Sequence, residues 1–486
     1  MGFFRRFSFT IVLICVFASL VFLPGHTLAA VTINKVTVTF HGDTTTTKGF
    51  TWYTETTSSR SDVQIVQKTG AKPDFTNALN FGGRTALSTN SSVATGTGYP
   101  PNPRENVHKA EATGLKPGTT YFFRVGDAAL GAWSESGTFQ TAPLHGAFSF
   151  ICLTDTQAKE KDEAILSSQT IAKALTTVPR AQFIVLAGDW VDTGKVETQW
   201  DWLYGNALPD NAKASFLQTT LLPAAGNHEK DTNTFMEHFD IVPAAGSPTT
   251  TGAYYSTNYR NVHFITLNNN ENSAEYADFT PAQIQWLKND VRAARAAGYD
   301  WIIVNMHKGP YTTSNHATDA DIIGPNGVRT MVAPLFAELD VDLVFQGHDH
   351  IYARSKPLKA GAAVPAKKVT ELLNGKSIEY TVSPEGTIYV IPNTAGAKVY
   401  YRNKTIDPNY FNLFEVANEH PAAAYGADPA DPTRPVRGQI QNFMGITIEG
   451  AKLTAVTYEI DQSKNNAQPY IVDQFGIMKK KSSLRR

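Results

Sequence analysis

The sequence predicts an α/β fold preceded by a smaller all-β domain, and three observations carry that prediction. From residue 147 onward, short apolar runs alternate with stretches of helical period such as Pro281 to Ala297 and Val328 to Leu339, the organisation of an α/β sheet with its covering helices. Between Val31 and Pro143 the period is two instead. Stretches such as Val36 to Phe40 and Phe50 to Thr54, rich in Thr, Val and aromatics, read there as half-buried strands. Finally, five apolar runs of the α/β part end in metal-ligating side chains: Ala147 to Asp155, Gln182 to Asp189, Leu221 to His228, Trp301 to His307 and Val341 to His350. Because open α/β sheets bind ligands beyond the carboxyl ends of their strands, these five ends are expected to converge on one site.

The elements follow in chain order. Arg5 and Arg6 precede the apolar stretch Ile11 to Leu23 and the small residues to Ala30, so residues 1–30 read as a secretory signal, and export without a remaining membrane anchor is expected. Cys15, preceded by Ile14, makes a poor lipid-attachment site, and the mature chain then keeps Cys152 alone, which excludes an internal disulfide and reads as core. The length of 486 residues calls for two domains. With 43 basic against 44 acidic residues, the net charge of −1 offers no global field for nucleic acid or an anionic membrane. Residues 31–143 form the first domain, where Pro117-Gly118 places a turn before an alternating strand and ties a sandwich corner; no cluster of titratable residues assigns it chemistry.

The second domain is expected over residues 147–460. Its helix from Pro281 to Ala297 is specified by Thr280 as the cap, Pro281 in the first turn and Gly298 as the stop. Residues 355–386 are Ala-, Lys- and Gly-rich and suggest an insertion or flap on the site's rim, lid and linker both remaining open. Gly386 to Tyr401 and Phe443 to Ile460 read as further strands, Ala422 to Arg437 as a Pro- and Asp-rich surface loop, and 461–486 as a tail, basic at its end.

The chemistry lies in the strand ends. Asp155-Thr-Gln157 follows the first run, and Gly188-Asp189-Trp-Val-Asp192 sets a carboxylate on a tight turn where it can bridge two cations. Gly226-Asn227-His228-Glu229 pairs an amide oxygen with an imidazole, His307 closes the fourth run, and Gly347-His348-Asp-His350 offers two imidazoles that a turn at Gly347 must bring to one side. Counting donors gives two metals: Asp155, Gln157, His350 and shared Asp189 on one, Asn227, His307, His348 and shared Asp189 on the other. Two cations against two carboxylates leave a net positive centre, which suits a phosphate ester, and metals roughly 3.5–4 Å apart acidify a bound water and clamp the attacking and leaving oxygens.

These five motifs, in this order, resemble the calcineurin-like metallophosphoesterase superfamily. The leading domain resembles a fibronectin type III sandwich and, more narrowly, the amino-terminal domain of purple acid phosphatases. The resemblance spans Val31 to Ile460. It implies a β-sandwich flanked by helices and a binuclear centre with Asp155, Asp189, Asn227, His307, His348 and His350 as ligands. It also implies that His228 gives a proton to the leaving alkoxide; Tyr254, Tyr255, Tyr311 and His316 are weaker candidates for substrate contacts or support of the ligands, with packing or rim positions as the favoured reading.

Two departures matter. Purple enzymes place a tyrosinate three residues after the bridging carboxylate, where this chain has Asp192, so no basis exists for a firmly held Fe(III); Asp192 stands as a turn carboxylate or a ligand. Gln157 stands where many other members have His, so the metals are open among Fe, Mn and Zn. The expectation is a secreted, binuclear metal-dependent phosphohydrolase acting on a small phosphate ester, acid phosphatase-like on monoesters, with phosphodiester or nucleotide hydrolysis as the alternative. A non-catalytic cell-surface binding protein is the reading from another class, and retention of His228 beside six ligands argues against it. Nothing in the sequence sets the oligomeric state.

Overall fold

The computed structural model describes residues 31–205, 214–230, 232–271, 279–403, 405–417 and 437–480, together with Gly2. The expected leader apart from Gly2, the Pro- and Asp-rich loop up to residue 436 and the last six residues of the basic tail lie outside the described residues.

Alternation along the amino-terminal strands turns Val38, Phe50, Trp52, Val63, Ile65, Phe123, Val125 and Phe139 into one buried cluster between two sheets. One sheet holds Leu79–Gly82, Asp62–Gln67, Thr120–Asp127 and Gly137–Gln140. The other holds Asn34–Thr39, Lys48–Glu55, Glu105–Ala112 and Arg84–Leu87. The expected corner is present: Gly118 turns with φ 61°, and the Lys116 N–H donates to the Tyr121 hydroxyl at 2.9 Å.

The second of these sheets does not stop at the domain boundary. Thr39 pairs in parallel with Leu221, so Asn34–Thr39 continues the α/β sheet beyond its strand Leu221–Pro223, and twelve strands run as one sheet through both halves. A buried ion cluster reinforces the seam. Lys35, 1% exposed, reaches Glu105 at 2.6 Å in its own domain and Glu197 at 3.0 Å and Asp201 at 3.2 Å in the other. Burial alone would lower the pKa of this ammonium; the three carboxylates more than offset it and hold the pKa above the ordinary lysine value.

In the α/β half, Phe148–Leu153, Ala181–Leu186 and Leu221–Pro223 lie parallel in that order. A second, seven-stranded sheet contains Val262–Thr266, Trp301–Lys308, Leu343–Gly347 and Ile388–Pro392 as parallel neighbours. The two sheets pack face to face through aromatic rings: Phe150 meets Phe264 edge-on at 5.4 Å and Phe345 at 6.1 Å. Helices Lys161–Thr177 and Glu197–Leu203 join the same core through Ile171, Ala174 and Trp200. Pro281–Ala297 and Val328–Glu338 cover the seven-stranded sheet through Leu287, Val291, Val332 and Phe336. Helix Pro281–Ala297 has the predicted ends, with Thr280 Oγ1 accepting the Gln283 N–H at 3.2 Å and Gly298 left-handed at φ 86°.

Two expectations need correction. The stretch beyond residue 460 is not all tail: Tyr470–Met478 is a strand seated between Lys452–Asp461 and Lys376–Val382. The 355–386 segment is no flap over the strand ends either. Its hairpin, Lys367–Leu373 with Lys376–Val382, extends the sheet, and three strands separate it from Phe148–Leu153. At about 4.8 Å per strand, that puts it roughly 20 Å from the strand leading to Asp155. Ile378 and Tyr380 are buried while their neighbours Lys376, Ser377 and Glu379 face water, so the apolar half of the alternation is too short to stand out in sequence.

Candidate metal centre

Three of the five strand ends turn sharply enough to force a candidate ligand residue into unusual backbone geometry, whereas His307 stays within its strand. Asp155 (φ 54°), Gln157 (φ 31°), Asp189 (φ 54°) and His348 (φ 71°) all adopt left-handed conformations, at a cost of about 1 kcal/mol or more each for a residue with a Cβ. Gly188 is left-handed as well, and a Cβ on it would lie 2.7 Å from His307 Nδ1 and 2.8 Å from Gly226 Cα. The turn that points His348 and His350 to one side is made by His348, not by Gly347 as expected. Gly347 is needed for room, because a Cβ there would fall 2.2 Å from Thr154 Oγ1 and 2.9 Å from Asp155 Oδ2.

Two sets of ligand-type atoms result. In the first, His350 Nδ1–H donates to the Lys398 carbonyl at 2.7 Å, which turns the ring's Nε2 lone pair toward Asp155 Oδ1 at 3.2 Å. In the second, His307 Nδ1–H donates to the Ala187 carbonyl at 2.8 Å, and its Nε2 faces both Asp189 Oδ2 and Asn227 Oδ1, each at 3.1 Å. Asp189, His307 and His348 bring ligand atoms within 4.8 Å of one another. The sets are tied together, since the His348 N–H donates to Asp155 Oδ2 at 3.1 Å. A proton on His307 Nε2 satisfies Asp189 Oδ2 and Asn227 Oδ1, and a metal cation taking that proton's place would be met by the same atoms. His348 Nε2 and Gln157 Oε1 are, in addition, buried without a hydrogen-bond partner, so oxygen and imidazole donors of the kind that hold Fe, Mn or Zn are present and unsatisfied by protein.

Among the protein groups alone, the electrostatics are polarised. Burial disfavours the charged forms throughout the site, but the His307, His228 and His348 imidazoles override it at Asp189 and hold this carboxyl well below the usual carboxylate range. Against the same burial, Asp189 raises His307 to about 9. His348, buried and beside His307, is pushed down and stays neutral, the form that ligates a metal.

His228 is half-buried beside this centre. Its Nδ1–H donates to the Asp192 carbonyl, leaving Nε2 3.8 Å from Asp189 Oδ2 and 2.5 Å from the Gln157 amide nitrogen. Burial would lower its pKa, but Asp189 reverses that and raises it above the ordinary histidine value. Asp192 thus meets the site through its backbone carbonyl. His316 stands with its ring 4.3 Å from that of His348 and Nδ1 2.6 Å from Asp319 Oδ2. The tyrosine candidates lie elsewhere. Tyr254 is fully buried against Trp286 at 4.8 Å, the Tyr255 hydroxyl donates to the Pro223 carbonyl at 2.6 Å within the core, and Tyr311 packs on Tyr389 at 4.7 Å under Arg329. Tyr255 and Tyr311 thus follow the packing reading, while the Tyr254 hydroxyl is buried without a hydrogen-bond partner.

One residue that sequence reasoning passed over is Glu229. Fully buried, it accepts the N–H groups of Asp189 (3.1 Å), Trp190 (2.8 Å), Val191 (3.3 Å) and Gly226 (2.9 Å), and so clasps the loops that carry Asp189 and Asn227. Its place in the Gly226-Asn227-His228-Glu229 run was a signal, but its role depends on backbone far away in sequence.

Comparison with known proteins agrees with this architecture. Residues 148–352 match the model for calcineurin-like phosphoesterases, and residues 33–141 match that for the purple acid phosphatase N-terminal domain. Purple acid phosphatase 23 of Arabidopsis thaliana is 26% identical over 321 residues, 60% of this chain and 62% of its own length. An uncharacterised protein of Mycobacterium tuberculosis is 28% identical over 217 residues, 42% of this chain and 39% of its own length. The chain thus spans less than two thirds of these curated relatives. A purple acid phosphatase from yellow lupin seeds shares the fold, with a TM-score of 0.66 at 15% identity, covering 93% of this chain and 75% of the lupin one. Sandwich, paired sheets and ligand-bearing strand ends together identify the chain as a calcineurin-like phosphoesterase domain set behind a purple acid phosphatase N-terminal domain.

Proposed function

We propose that this chain hydrolyses phosphate esters, monoesters first, at a binuclear metal centre. Asp155, Gln157 and His350 would hold one cation, Asn227, His307 and His348 the other, with Asp189 between them. The observation that carries the reading is the convergence of His307 Nε2 on Asp189 Oδ2 and Asn227 Oδ1, each at 3.1 Å, beside a His348 Nε2 that is buried without a hydrogen-bond partner. When bound, the metals supply a nucleophilic hydroxide and neutralise phosphate charge. The chain's own residues do the rest. His228, held through Nδ1 by the Asp192 carbonyl and keeping its proton through Asp189, presents Nε2–H to the leaving oxygen.

The apolar leader after Arg5 and Arg6 supports export, and among the described residues no helix is long and apolar enough to cross a membrane. The test is turnover of p-nitrophenyl phosphate and bis-p-nitrophenyl phosphate by the purified protein with Mn, Zn or Fe added. Monoester turnover with at least one metal is expected; diester turnover alone would reassign the substrate class, and activity on neither with every metal would overturn the reading.

A further inference from the structure

The sandwich domain reaches the loop that holds His228. Between Ser88 and Arg104 its chain leaves the sheet and lies against residues 192–199 of the α/β domain. Asn90, fully buried, is the hub. Its amide nitrogen donates to Glu197 Oε1 at 2.7 Å and to Thr234 Oγ1 at 3.0 Å, and its amide oxygen accepts the Thr232 hydroxyl at 2.9 Å. Thr234 Oγ1 in turn donates to the Gly194 carbonyl at 3.1 Å, and the Gly194 N–H donates to the His228 carbonyl at 2.9 Å. Asn102 grips the same loop from its other side: its amide nitrogen donates to the Lys195 carbonyl at 2.7 Å and to the Asn90 carbonyl at 2.9 Å, and its oxygen accepts the Glu197 N–H at 2.9 Å. Tyr99 completes the grip, accepting from Gln199 Nε2 at 2.8 Å and donating to the Lys159 carbonyl at 3.0 Å.

This loop begins with Asp192, whose carbonyl fixes the His228 ring. The α/β domain anchors the loop as well: the Asp192 N–H donates to the Ala158 carbonyl at 3.2 Å, the Thr193 N–H to Gln199 Oε1 at 2.7 Å and the Trp200 ring N–H to the Gly194 carbonyl at 2.8 Å, so the sandwich residues close the grip from the opposite side. Gly194 must be a glycine, because a Cβ would fall 2.8 Å from the His228 carbonyl oxygen, so its position depends on bonds from both sides. A carbonyl that drifts even 1 Å no longer aims an imidazole, and geometric errors of that size are costly in turnover.

We propose that Asn90 and Asn102 of the amino-terminal sandwich are positioning residues for His228, acting through the Asp192–Glu197 loop, so that the sandwich is a working part of the active site and not only a neighbour. This rests on the assignment of His228 as proton donor.

Leaving-group dependence tests it. A misaimed proton donor costs most with a basic leaving group, so turnover of phenyl phosphate should fall more than turnover of p-nitrophenyl phosphate. In Asn90→Ala and Asn102→Ala, kcat for phenyl phosphate should fall about tenfold or more, the loss with p-nitrophenyl phosphate should be several-fold smaller, and KM and metal content should stay within about twofold. Thr234→Val should behave like Asn90→Ala and Thr234→Ser should restore the ratio, which keeps the test alive if Asn90→Ala folds poorly. Hydrogen exchange supplies a readout apart from activity: amides of residues 192–197 should exchange faster in the variants while the Phe148–Leu153 strand does not change. Equal losses with both esters together with unchanged exchange would overturn the positioning role. If His228→Ala itself shows no leaving-group dependence, the proton-donor assignment fails instead, and the exchange data still decide whether Asn90 and Asn102 hold the loop.

Discussion

Glu229 binds the backbone of Asp189: its Oε2 accepts the Asp189 N–H at 3.1 Å, and its Oε1 accepts the next N–H, that of Trp190, at 2.8 Å. Asp189, the bridge in the proposed centre, is therefore held by a carboxylate that is itself fully buried. A Glu229→Gln chain would turn an NH2 group toward two of the N–H donors now satisfied. The expected result is a loss of about 1–3 kcal/mol in unfolding free energy together with weakened metal retention, read by denaturant titration and metal analysis after dialysis. Full metal retention would show that the loop holds without the clasp.

Removal of His228 and removal of Asp189 should separate chemistry from metal binding. His228→Ala is expected to cut turnover about 10²–10⁴-fold with near-normal metal content, whereas Asp189→Ala should empty both centres. Loss of metal in His228→Ala would make this residue a ligand.

Room at Gly347 is as strict as any ligand. Since a Cβ would sit 2.2 Å from Thr154 Oγ1 and 2.9 Å from Asp155 Oδ2, Gly347→Ala should displace Asp155 and lower metal occupancy of the first set more than that of the second. Stoichiometry near one metal per chain is the expected reading; two tightly held metals would contradict it.

Acid should weaken the sandwich through His108. This ring is fully buried, stacked on Trp52 at 5.2 Å and bonded to Thr54 at 2.8 Å, and burial holds its pKa down to about 4 from 6.5. Because the unfolded chain takes up the proton first, stability falls as pH drops from 6.5 through 4, by on the order of 3 kcal/mol in all, and the loss is complete below the lower value. A His108→Gln chain should show a flatter slope of unfolding free energy across that window; an unchanged slope would assign the acid sensitivity to other groups.

Much of this was legible because local chemistry repeats it. Thr280, Pro281 and Gly298 mark both ends of their helix, and apolar runs ending in Asp155, Asp189, Asn227, His307 and His350 mark where the strands stop. What escaped was set by distant backbone. The Tyr470–Met478 strand follows a polar turn and is only half-buried along most of its length, so its alternation is weak. Tyr311 stands close to His307 in sequence, yet packing on Tyr389 turns its ring into the core. Asn90 and Asn102 sit in a Ser-, Thr- and Gly-rich loop of a kind that ordinarily has no role beyond turning the chain.

The pairing of Thr39 with Leu221 has a consequence for the catalytic half on its own. A sheet edge is adhesive, and here the sandwich is what keeps the Leu221–Pro223 edge from meeting another molecule. A catalytic half released by cutting near residue 143 would present that rail bare, and self-association visible by light scattering is the expected outcome. The sandwich therefore serves the other half as a permanent edge guard, whatever else it does.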